Sequence, residues 1–203
     1  MPLESMAAGT ETLVGFDCRQ MPDGRWTASR REAFLLREDV NQPLAVDQTA
    51  WASALPENED AWRGVLGHWS NLDKLRQRCR TLPASTSARW EVAITFRLDA
   101  TSPEKGAEWV QQNLEPTQPA TIQCDWEFLG LDVADGWLLS GLSNCAYEPG
   151  LRASWQASWS QHLNEHHLFA SLEKAREFAV AVGRRVPSHA PFFVFGLYLV
   201  GRL

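Results

Sequence analysis

Nothing in this 203-residue chain is long and apolar enough to cross a bilayer as a helix. The longest apolar stretch, Pro191 to Val200, is about half of the roughly 20 residues a spanning helix needs. Its β-branched and aromatic content favours a strand instead. Cysteine is sparse: Cys18, Cys79, Cys124 and Cys145 stand far apart and none forms C-x-x-C. Neither a disulfide framework nor a zinc ribbon is therefore indicated, and all four are read as reduced. No G-x-G-x-x-G, P-loop or EF-hand pattern occurs, which removes the common nucleotide- and calcium-binding classes. The segment Gly141-Leu-Ser143-Asn-Cys145 lacks the last glycine of the G-x-S-x-G nucleophile elbow. A serine hydrolase is unsupported, and Cys145 reads as a buried thiol. The first residues carry neither a basic n-region nor an apolar h-region, so the expectation is a cytoplasmic protein. There is no internal repeat and no low-complexity tract.

What is present is an ordinary globular composition, 44% hydrophobic and 22% charged. A chain of this length buries roughly 70% of the surface exposed when unfolded, so it needs no metal or disulfide to fold. One domain over residues 1–203 is expected, with 83–88 as the place where a weak subdivision would fall.

Hydrophobic periodicity supplies the elements. Thr12 to Cys18 reads as a strand, joined through Pro22-Asp23-Gly24 to a second arm at Arg25–Ala28. Ala33–Leu36 is a further candidate strand. Between Asp60 and Leu82 apolar residues recur at steps of three and four, predicting one bent helix or two consecutive ones. Lys74, Arg76, Arg78 and Arg80 are taken as its wet face. Residues 90–98 and 122–128 alternate apolar and polar side chains, predicting two strands with one wet face each. Pro103 opens a helix that carries Ala107, Trp109, Val110 and Leu114 and stops at Pro116. Asp135-Gly136 sits between Leu131–Ala134 and Trp137–Ser140 as a two-residue hairpin signal. A helix from about 151 to 167 follows. The next is capped by Ser171 and stopped by Gly183, with Leu172, Ala175, Phe178, Ala179 and Val182 inward. The run from Phe192 to Val200 fits a central strand buried on both faces. The fold class is α+β, a mainly antiparallel sheet with about four helices packed on it.

Charge is unevenly spread. The segment from Glu104 to Glu148 holds eight acids and one base, Lys105, and so carries −7 of the chain's net −6. Such a field disfavours nucleic acid and suits a basic partner. Asp125, Glu127, Asp132 and Asp135 are the candidate contact residues. Of the ten tryptophans, Trp62, Trp69, Trp90, Trp126, Trp155 and Trp159 lie on apolar stripes and read as core. Trp26, Trp51 and Trp137 lie beside turns, where aromatics often anchor recognition.

One motif hints at chemistry. On a helix, Trp155, Trp159, His162 and His166 fall within roughly 60° of arc, so two imidazoles share the face expected to be buried. His162-Leu-Asn-Glu165-His166 resembles the H-x-x-E-H pattern of the inverted zincin metalloproteases. That resemblance, five residues long, implies His162 and His166 as zinc ligands and Glu165 as the general base. Those enzymes take a third carboxylate from far downstream, whereas 37 residues follow His166 here. The third ligand would then be Glu173, Glu177 or an upstream acid.

Two functions follow. The leading one is a non-enzymatic, cofactor-free domain that binds a basic protein through an acidic face, in the manner of an immunity-type inhibitor. The alternative is a zinc-dependent hydrolase built on 162–166.

Overall fold

The computed structural model describes residues 11–21, 72–81, 88–97, 103–113, 125–136, 140–144, 157–166 and 168–202. Four strands, β1 (Glu11–Met21), β2 (Ala88–Arg97), β3 (Glu127–Ala134) and β4 (Phe193–Arg202), form one sheet in the order β1-β2-β4-β3, and every pairing is antiparallel. Among the described residues the named helices are α1 (Leu72–Thr81), α2 (Pro103–Asn113), the single turn α3 (Gly141–Asn144) and α4 (Leu172–Arg185), besides the helical residues 157–159. This is the α+β architecture with an antiparallel sheet that the periodicity predicts. The proposed arm at 25–28, the strand at 33–36, the first part of the 60–82 helix and residues 83–87 of the weak subdivision lie outside the described residues.

β4 is the centre, buried from Phe193 to Leu199. Successive side chains of a strand point to opposite faces, so burial of consecutive residues from Phe193 to Leu199 requires a cover on each. On one face Phe193, Phe195, Leu197 and Leu199 join Phe96, Val92 and Val14 beneath Trp109 of α2. Trp109 stacks on Phe96 with centroids 5.0 Å apart and 19° between planes, and meets Phe193 and Phe195 at 5.9 and 5.7 Å. On the other face Val194 packs with Leu131, Val133 and the Ala175, Phe178, Ala179 and Val182 stripe of α4, while Tyr198 packs with Phe16, Ala93 and Leu75 of α1. Each large apolar side chain placed there stabilises by roughly 1.5–3 kcal/mol.

The helix signals are met with small differences. Ser171 caps α4, its side chain accepting from the Lys174 amide. α4 passes Gly183 and ends at Arg185. On α2 Trp109 is buried, whereas Ala107 is exposed.

Three expectations need correction. Glu91, Ala93, Thr95 and Arg97, the supposed wet face of β2, are all buried. β3 joins the end of the strand expected at 122–128 to the hairpin arm expected at 131–134: a bulge between Phe128 and Gly130 shifts the register against β4, which breaks the alternation without ending the strand, while Asp125 stands in a turn and 122–124 lie outside the described residues. Asp135-Gly136 does not close a two-residue hairpin either. Ala134 pairs with Ser140, and Ser140 leads into α3.

Polar groups forced inside the sheet must find partners. Glu91 receives Arg76 of α1 through Nε at 2.9 and 3.0 Å and Nη2 at 2.8 Å, so Arg76 does not belong to a wet face. Glu11 collects Thr95 Oγ1 at 2.8 Å and Tyr198 Oη at 2.9 Å on one oxygen, and Arg97 Nε at 3.2 Å on the other. Gly196 makes room for this cluster, since a Cβ there would stand 2.7 Å from Thr95 Oγ1.

Burial pushes the Tyr198 hydroxyl well above its ordinary value, and the Glu11 charge and hydrogen bond add to the shift. The neutral phenol is thus the form the fold holds. Above pH 10.0, the ordinary tyrosine value, the unfolded chain releases a proton that the native chain retains, so stability falls as pH rises. Tyr198→Phe is expected to cost about 1 kcal/mol at neutral pH and to make the alkaline decline shallower. Urea midpoints of both proteins from about pH 8 to about pH 11 check this.

Candidate functional site

The H-x-x-E-H segment is not a helix face. Residues 157–159 are helical, Ser160–His162 form one 3-10 turn, and Leu163 is extended at φ −98, ψ 145. The chain then reverses, with Leu163 bridged to Phe169 and the Asn164 amide donating to the Leu168 carbonyl at 2.8 Å. His162 is half-buried with its ring centroid 5.8 Å from that of Trp159. His166 lies in the turn, its Nε2 4.0 Å from an oxygen of Glu165, whose side chain is 83% exposed. The expected helix over 151–167 therefore ends before its second histidine, and the stacking of His162 over His166 is lost with it. Among the described residues no group of three His, Cys, Asp or Glu side chains is placed to hold a metal ion.

Asn164 is the physical reason. Its Oδ1 accepts from the amides of His166 at 2.9 Å and Leu168 at 3.1 Å, and its Nδ2 donates to the Leu129 carbonyl at 2.7 Å. A short amide side chain that bonds the backbone ahead of it offers the chain an alternative to the helix. Here the alternative also docks the turn on β3, where Leu131 and Phe169 exchange two amide hydrogen bonds of 2.9 and 2.8 Å. The approach needs Gly130, which sits at φ +142 and whose missing Cβ would fall 2.6 Å from that of Leu168. Sequence reading passed over Asn164. An asparagine inside a helical period was the signal that could have found it.

The four candidate acids divide into two pairs. Asp125 and Glu127 are exposed on either side of Trp126, which is half-buried and packs edge-on to Phe16 at 5.9 Å and against Tyr198 at 6.5 Å. Asp132 and Asp135 are 0% and 1% exposed. They belong to the interior, not to an acidic face, and that part of the expectation is corrected. Asp132 Oδ1 accepts from the Val133 amide at 2.7 Å and from Ser140 Oγ at 2.9 Å, and Ser140 Oγ in turn accepts from the Leu142 amide at 3.3 Å. The carboxylate thus fixes the start of α3.

Asp135 Oδ2 lies 2.9 Å from Nδ1 of His189, whose side chain is 27% exposed. A buried carboxylate at Nδ1 fixes the orientation of an imidazole. In this fold it fastens the α4–β4 turn to the end of β3, and Trp109 Nε1 secures the same place by donating to the Gly136 carbonyl at 3.0 Å. His189 is absent from the sequence-based candidates because its partner stands 54 residues away. Trp26, Trp51, Trp137, Trp155 and Cys145 lie outside the described residues.

No protein-family model, curated protein or solved structure matches the chain.

Asn164→Ala removes three hydrogen bonds at a half-buried site, and a loss of about 2–3 kcal/mol is expected. His162→Ala and His166→Ala remove neither the turn nor the edge contact and should each cost about 1 kcal/mol or less. Denaturant unfolding of the three variants, compared at one pH, measures the difference. Gly130→Ala combines a positive φ with a collision against Leu168, and its expected cost is about 2 kcal/mol or more in the same assay.

Proposed function

We propose that this chain is a non-enzymatic protein-binding domain that receives a basic partner on an acidic surface centred on Asp125 and Glu127. One observation carries the reading: these two carboxylates are exposed at the start of β3, and Trp126 between them is anchored on Phe16 and Tyr198. The acids are therefore presented from a fixed base, and among the described residues neither enters an ion pair. Glu104 and Glu108 of α2 are exposed as well. They add exposed negative charge to that of Asp125 and Glu127. Such a field steers a basic surface to its encounter and favours association most at low salt. Neutralisation of a basic enzyme by an acidic companion, as in toxin–immunity pairs, is the kind of partnership this profile fits.

The test is a binding titration against the purified protein that co-purifies with the tagged chain. Reversing both charges, Asp125→Lys with Glu127→Lys, should weaken binding by about 2–4 kcal/mol, roughly 30-fold to 1,000-fold. Both side chains are exposed, so the melting temperature should stay within a few degrees of the parent. Affinity of the parent should also fall as salt rises. Undiminished affinity in the folded double variant overturns the proposed surface.

A further inference from the structure

We draw no further inference here: the strongest candidate, the pairing of buried Asp135 with His189 at the end of the sheet where β3 leaves and β4 enters, belongs to the site already described, and no third metal-ligating side chain joins it among the described residues.

Discussion

Burial of β4 on both faces is the constraint from which the other arrangements in this structure follow. Its side chains from Phe193 to Leu199 are buried whichever way they point, so α2 must cover one face while α1 and α4 cover the other. β2 lies beside β4 and inherits the same enclosure, although its sequence places Glu91, Thr95 and Arg97 on one face. Taking an ion out of water costs several kcal/mol, more than a single buried leucine or valine returns. Pairing decides the balance. Glu91 is held by a forked contact from Arg76, and Glu11 is met by a hydroxyl, a phenol and a guanidinium. These partnerships make the polar face of β2 compatible with an interior, and they also fix which helix and which strand can lie over it. Losing one member of such a pair is worse than losing both, because the survivor keeps its desolvation cost without its partner.

The outer side of β3 follows a related logic. A strand at the edge of a sheet offers unpaired amides and carbonyls to any other chain, and here the Asn164–Phe169 turn occupies that side at Leu129 and Leu131. Three local features make this possible together: the bulge, the positive φ at Gly130, and an asparagine that bonds both its own turn and the strand. Leu168 and Phe169, both fully buried, drive the turn home. The histidines on either side of Asn164 are thus placed by an edge seal. Their spacing in sequence does not translate into stacking in space.

How much of this was legible in the sequence depends on the range of the interaction. The α4 cap and inward stripe, α2 from Pro103 and the doubly buried β4 are set by neighbours three or four residues away, or by the character of one run, and periodicity reads them correctly. The apparent wet face of β2 fails for a definite reason. Alternation reports polarity and not exposure, and the groups that satisfy Thr95 and Glu11 are 84 and 187 residues from their partners. The break expected between residues 128 and 131 is not one, because a bulge inverts the alternation within β3, which looks the same as the end of a strand. Asp135-Gly136 carries strong turn chemistry, yet the Asp135 side chain is drawn inward to His189, a contact no local rule contains. The candidate site was half legible. The acids were visible, but their sorting into interior and surface was not.

That sorting bears directly on function. A negative segment has two uses for its charge: holding the fold together, or meeting something outside it. Asp132 and Asp135 serve the first, since each is enclosed and bonded to Ser140 or His189, and removing either would harm any activity through stability alone. Asp125 and Glu127 are exposed at the mouth of the same strand, where a solvated pair of like charges contributes little to folding and mildly opposes it. Asp125 and Glu127 flank an anchored tryptophan and enter no ion pair among the described residues, and the proposed reading assigns them the second use.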